Sequence, residues 1–192
     1  LFEYYSQTPQ NLNPYLTKKK ILETNIYGME IETDAYLASQ LRLIHWLLED
    51  LPSKLVPDLK LTDVKSPEIL LTKLDVNLNL FENNYLLNFS PLKETKFDII
   101  IGNPPYIENK KIFDKAYKKE LKKHYISAYR LYDLSILFIE QSLKLLKKRE
   151  GFLSFLMTNK FLSSEYGKKI RELVLNQAQL REILNISSLD IF

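Results

Sequence analysis

Asn103-Pro104-Pro105-Tyr106 is the segment whose residue types and spacing best suit chemistry. Asn103 offers an amide oxygen that accepts a hydrogen bond. Pro104 has no N–H but keeps its carbonyl acceptor, and the rigid ring of Pro105 fixes where that carbonyl points. Tyr106 supplies a flat face for stacking. Two acceptors beside an aromatic plate suit an exocyclic amino group on a planar ring. The same tetrapeptide also reads as a plain turn, since Asn-Pro often opens one.

The elements around it must position it. Phe97 to Ile101 (FDIII) is a continuous apolar run, as in a buried parallel strand. In α/β folds ligands bind beyond the carboxyl ends of strands, which is where NPPY falls. Elsewhere the pattern predicts a loop over 8–20 and a short strand over 25–31. A helix is expected over 35–50, capped by Asp34, with apolar spacing at Leu37, Leu41, Ile44 and Leu48. Pro52, Pro57 and Pro67 mark an irregular connection, and Asp75 to Phe81 alternates as a strand. An amphipathic helix spans 131–148, ended by Gly151, and a strand follows over 152–157. Ser163 or Ser164 caps a helix to about 176, and a last strand covers 180–186. Leu1 to Ser6 reads as the end of a helix. Strands separated by helices imply an α/β layered fold with a largely parallel sheet.

Composition removes several classes of function. The chain has 192 residues, net charge +3, 45% hydrophobic and 27% charged residues, enough for one domain with a core. Zero Cys excludes a disulfide scaffold, a Cys-based zinc site and a Cys nucleophile. Two His, at 45 and 124, argue against a His-rich metal site, and His45 beside Trp46 on an apolar helix reads as packing. No run approaches a membrane span and no signal peptide opens the chain, so no membrane partner and a cytoplasmic location are expected.

Charge is uneven. Residues 107–125 carry seven Lys against Glu108, Asp114 and Glu120, a local balance of +4, which leaves −1 for the rest. The run reads either as a footprint for a polyanion or as a solvated helix face. Tyr117, Tyr125 and Tyr129 interleave with it, for contact with bases or for the core.

FDIIIGNPPY resembles motif IV of the amino-group methyltransferases that use S-adenosylmethionine. With NIYGMEIETDAYLASQLRL, YDLSILFIEQSLKLLK and GFLSFLMTNKFLSSEYGKKIRELVL, the chain resembles the N6-adenine DNA methyltransferases of type II and IIG restriction-modification systems. The resemblance runs from about residue 20 to the end. NPPY alone is shared with enzymes that methylate protein glutamine or RNA. The resemblance implies a Rossmann-like methyltransferase fold and S-adenosylmethionine as cofactor. It implies double-stranded DNA as partner, with a fused or separate restriction nuclease and specificity domain outside this segment.

The resemblance also implies roles. Glu30 matches the acid that binds the cofactor's ribose hydroxyls, with Glu32 the competing candidate, and Ile31 matches a position packed on the cofactor adenine. Asn84, or its neighbour Asn83, falls where the family places an acid against the adenine amino group; a plain turn fits there as well. Asn103 and the Pro104 carbonyl would accept from the amino group of a flipped target adenine, held by Pro105 and stacked on Tyr106. Lys110, Lys111, Lys115, Lys118, Lys119, Lys122 and Lys123 would face DNA phosphates. Tyr132 and Asp133 open the long helix, Asp133 first as its cap. The activated sulfonium donor needs no metal.

Four Gly, at 28, 102, 151 and 167, form no glycine-rich phosphate or cofactor loop, and the chain starts at Leu1. The expectation is an internal piece of one catalytic domain over 1–192, lacking the first strand and the glycine-rich loop. Such a piece is expected to bind cofactor poorly and to be inactive alone. A catalytically silent DNA-binding relic of the fold is the remaining alternative.

Overall fold

The computed structural model describes residues 13–50 and 66–186. The readings for 1–6, Pro9, Pro52 and Pro57 lie outside them. The chain divides into two compact units, 1–85 and 86–192.

In the first unit, helix α1 (Pro14–Thr24) leads into strand β1 (Tyr27–Glu30), helix α2 (Thr33–Leu48), helix α3 (Pro67–Leu74) and strand β2 (Asn79–Glu82). Helix α1 corrects the expected loop over 8–20. Asn13 caps it by accepting from the Tyr15 N–H at 2.8 Å, and Pro14 occupies the first turn. A proline there loses no intrahelical bond, so it starts the helix and does not break it. Pro67 begins α3 in the same way, so the irregular connection ends there. Strands β1 and β2 pair in parallel, Tyr27 opposite Asn79 and Glu30 opposite Glu82.

Tyr15, Leu22, Ile44, Leu47, Leu70, Leu71, Leu74 and Val76 form the core of this unit. The buried stripe of α2 is Gln40, Ile44 and Leu47, while Leu41 is exposed, so the inward face is rotated from the expected one. Glu32, and not Asp34, occupies the cap position, and Asp34 sits in the first turn. The reading of His45 as packing is also corrected. Its side chain is 82% exposed, near Glu49, while Trp46 turns toward the core.

The second unit holds strand β3 (Ile99–Gly102), helices α4 (Lys115–His124) and α5 (Leu134–Leu145), strand β4 (Phe152–Phe155) and helices α6 (Lys160–Ser163) and α7 (Lys168–Gln177). Strand β3 pairs in parallel with β4, Ile99 opposite Phe152 and Gly102 opposite Phe155. The strand is parallel as expected but not buried: Ile99 is 64% and Ile101 76% exposed, since an apolar run is buried only where both sheet faces are covered. A Cβ on Gly102 would lie 3.1 Å from the Phe155 ring, so glycine lets the strands close where the motif begins. The expected sheet therefore exists as two parallel pairs.

Helix α5 buries nine of its twelve residues, among them Ser135, Glu140, Gln141 and Ser142, and leaves Lys144 exposed, so its buried face is wider than the amphipathic pattern suggests. It ends before Gly151 because Leu146 turns extended and bridges Phe97 in parallel. The Ser163 or Ser164 cap is replaced by Gly167. A Cβ at Gly167 would sit 2.0 Å from the Phe161 carbonyl, so only glycine fits. Residues 180–186 form no strand and leave Leu180, Ile183 and Leu184 exposed. An apolar run becomes a strand only where a neighbour takes its backbone groups, and none does so among the described residues.

Candidate functional site

The NPPY turn sits at the carboxyl end of β3, as its position after an apolar run predicts. The Leu156 N–H donates to the Gly102 carbonyl at 3.1 Å and extends the β3–β4 pairing to the turn. The Tyr106 hydroxyl lies 2.5 Å from Asn103 Oδ1 and 3.0 Å from the Leu156 carbonyl. A phenol has one proton, so these two oxygens share a single donor. The hydroxyl thus ties the amide of Asn103 to the end of β4. Asn103 Oδ1 has a second lone pair for a donor from outside. Pro104 is buried, while Asn103, Pro105 and Tyr106 are exposed, Tyr106 by 43%. The sequence marks these residues as separate acceptors and plate. It gives no sign that Tyr106 and Asn103 bond to each other, because Leu156 comes from a distant strand.

The chain leaving the turn is fixed by backbone bonds to the start of α5. Asn109 N–H donates to the Tyr132 carbonyl at 2.7 Å, and Leu134 N–H donates to the Ile107 carbonyl at 2.9 Å. Glu108 and Asp133 form an antiparallel bridge. Asp133 caps α5 as expected, accepting from the Ser135 N–H and hydroxyl at 2.9 and 2.7 Å. The structure therefore joins YD to NPPY through space. Tyr132 is fully buried, and burial raises its hydroxyl above the ordinary tyrosine range.

The lysines divide into two groups. Lys110 and Lys111 lie on the 3-10 turn Asn109–Lys111, where Lys110 pairs with Glu108 at 2.8 Å. That bond and charge hold the Glu108 carboxyl below its ordinary range, and Lys160 adds to it from 3.8 Å. Lys160 is a cation near the turn that sequence spacing does not reveal. Lys115, Lys118, Lys119, Lys122 and Lys123 line one open concavity of about 470 Å³. Their spacing places them on one side of α4, while Leu121 on another side is fully buried. Asp114 caps this helix through the Ala116 and Tyr117 N–H groups. Tyr125 is core, its hydroxyl donating toward the Leu86 carbonyl and Gln141 Oε1. Tyr117 and Tyr129 are half-buried.

In the first unit, the expected cofactor residues meet at the adjacent ends of β1 and β2. Glu30 Oε1 accepts from the Ile31 and Glu32 N–H groups at 2.8 and 3.1 Å. The Asn83 N–H donates to the Glu30 carbonyl at 2.8 Å, and Asn83 Oδ1 accepts from the Asn84 N–H at 3.2 Å. Ile31 is 57% exposed. Asn84 has its backbone turned toward Asn83, so the two asparagines act as one turn. Glu82, opposite Glu30, accepts from the Thr33 hydroxyl at 2.5 Å and is a second acid at this edge. The signal for it was the acid closing FE before the NN turn.

Among the described residues no helix is long and apolar enough to cross a membrane, and no group of three or more His, Asp or Glu converges as metal ligands.

The chain resembles characterised proteins along most of its length. It is 30% identical over 191 residues to the type II restriction enzyme and methyltransferase RM.Eco57I of Escherichia coli, covering 91% of this chain and 18% of that protein. It is 36% identical over 91 residues to the type II methyltransferase M.BstVI of Geobacillus stearothermophilus, covering 47% of this chain and 16% of that protein. The chain thus spans less than a fifth of either relative. A class I S-adenosylmethionine-dependent methyltransferase structure from Listeria monocytogenes superposes with TM-score 0.43 at 16% identity, over 84% of this chain and 48% of that one. The Eco57I restriction-modification methylase model matches residues 24–192, a span that holds both strand pairs, the NPPY turn and the lysine helix, and the chain belongs to that family.

Proposed function

We propose that this chain carries the base- and cofactor-binding residues of a restriction-modification methylase that methylates the N6 amino group of adenine in DNA. The observation that carries the reading is the turn after β3, where Asn103 Oδ1 lies against the hydroxyl of an exposed Tyr106 ring; the Pro104 carbonyl is the second acceptor that the motif implies. An adenine amino group has two N–H bonds to give to those two acceptors. Both bonds pull hydrogen density into the protein and leave the nitrogen lone pair to face the methyl donor. A base within a duplex cannot reach such a turn, so the target must be flipped out and stacked on Tyr106.

The first unit fits S-adenosylmethionine. The carboxylate of Glu30, held by two backbone N–H groups, suits a ribose diol, and the exposed Ile31 suits an adenine face. When bound, the cofactor supplies an activated methyl group on a sulfonium. Glu30 would hold the ribose, Asn84 or Asn83 would meet the cofactor's adenine, and Tyr106 and Asn103 would hold the acceptor amino group. Positioning of this kind contributes much of the rate where the donor is already activated. The five lysines of α4 place positive charge on one surface, which suits the phosphates of a duplex.

The test is methyl transfer by the full-length protein from radiolabelled S-adenosylmethionine, offering duplex DNA, RNA and a release factor in parallel. The reading expects label in DNA, recovered as N6-methyladenine after digestion to nucleosides. Label in RNA or protein instead would assign the same acceptors to another amino group. Binding of DNA without transfer would mark a silent relic of the fold.

A further inference from the structure

We propose that Phe113 contacts DNA bases, as the non-electrostatic anchor of the surface whose lysines hold the phosphates. The inference rests on the DNA reading above and adds to it a residue and a mode of contact.

Phe113 is 93% exposed, the largest exposure of any big apolar side chain among the described residues. Single exposed hydrophobics are ordinary, so exposure alone decides nothing. Its setting does. The backbone on both sides is fixed: Lys111 and Ile112 donate N–H bonds to the Glu108 and Asn109 carbonyls, and Asp114 caps α4 immediately after it. An ordered backbone therefore presents a phenyl ring to solvent. It stands seven residues beyond Tyr106, on the path from the catalytic turn to the lysine helix.

The surrounding chemistry selects the partner. Lys111 precedes the ring by two residues and Lys115 follows by two; Lys118, Lys119, Lys122 and Lys123 continue along α4. Among the described residues Lys115, Lys118, Lys119 and Lys122 form no ion pair, while Glu120 is taken up by Lys123. From Lys115 to Lys123 the helix rises about 12 Å. That matches roughly three to four phosphates of one strand. An exposed phenyl beside a basic stripe suits a duplex whose phosphates the lysines hold, with the ring against thymine methyls or wedged at a base step. An anionic bilayer fits less well. It needs an apolar helix face turned to solvent, and the apolar residue of α4, Leu121, is fully buried.

The experiment measures duplex DNA binding by the full-length protein across a salt series, for the parent, Phe113→Ala and Phe113→Trp. Phe113 is solvated, so its replacement leaves folding intact, checked by an unchanged melting temperature. The inference expects Phe113→Ala to weaken binding about tenfold at every salt concentration, since the apolar ring loses the burial it gains on DNA. The slope of log affinity against log salt stays that of the parent, because no phosphate contact is lost. Phe113→Trp retains parent affinity. Unchanged affinity in Phe113→Ala overturns the inference, as does a slope that falls with the affinity. Loss confined to phosphatidylserine vesicles, with DNA binding intact, overturns it in favour of a membrane surface. If the parent itself ignores duplex DNA, the functional reading fails and this one with it; a binding parent with a neutral Phe113→Ala removes the Phe113 contact alone.

Discussion

Replacing Tyr106 with Phe separates two jobs that the proposed function gives this side chain. The ring remains for stacking, and only the hydroxyl that bridges Asn103 Oδ1 and the Leu156 carbonyl is lost, at 2.5 and 3.0 Å. One neutral hydrogen bond contributes about 0.5–1.5 kcal/mol net. The site is partly exposed, Tyr106 by 43%, so water replaces part of the bond and the lower half of that range applies. About 0.5–1 kcal/mol of lost orientation at the Asn103 amide corresponds to a two- to fivefold fall in kcat. The KM for DNA stays near that of the parent, since the stacking face is kept. Tyr106→Ala removes the ring as well and adds the loss of a stacked base, about 1–3 kcal/mol. Steady-state methylation of duplex DNA by the full-length protein reads both constants. Parent kcat in Tyr106→Phe would refute the hydroxyl as the tie that orients Asn103. A large rise in KM with kcat intact would mean that the hydroxyl serves binding.

Asn103→Ala is expected to abolish methyl transfer while S-adenosylmethionine binding by calorimetry is spared, and Glu30→Ala to weaken that binding; the reverse pattern would exchange their roles. Replacing both Lys118 and Lys122 with Gln should lower the slope of log DNA affinity against log salt by about 2, one phosphate contact each; an unchanged slope would make the stripe a solvated face. Glu140→Ala leaves the buried Ser127 N–H and hydroxyl, now 2.9 and 2.6 Å from the carboxylate, without their acceptor. About 2–4 kcal/mol of stability should go with it in chemical denaturation, and a loss below half that would mean water fills the space. Tyr132 has its hydroxyl raised by burial, so its folded value lies above the unfolded one. Its contribution is complete below the ordinary value of 10.0 and is lost as pH rises through the folded value, so melting temperature should decline on the alkaline side; Tyr132→Phe should flatten that decline.

Local patterns were legible where the chemistry was local. The position of the FDIII strand, the turn after it and the Asp133 cap are each specified within a few residues and the structure has them in place, whereas the burial expected of FDIII is absent, because burial depends on what packs on the strand. Pro14 misled because proline punctuates loops and also opens helices, and only the Asn13 side chain, folded onto Tyr15, separates the two. Leu41 and His45 misled because helical spacing offers several adjacent stripes, and the choice among them belongs to the partner surface of α1 and α3.

The sequence by itself determined which groups are available: two acceptors and an aromatic ring in four residues, an acid at a strand end, and a run of cations. Their types and order are covalent facts and survive any packing. The tertiary structure alone decided what those groups touch. It joined Tyr106 to Asn103 and to Leu156, bound the chain after NPPY to the start of α5, and left Phe113 in water beside the lysines. Such contacts join residues far apart in the chain, and which pairs meet depends on how strands and helices bury their apolar faces, which no window of sequence contains.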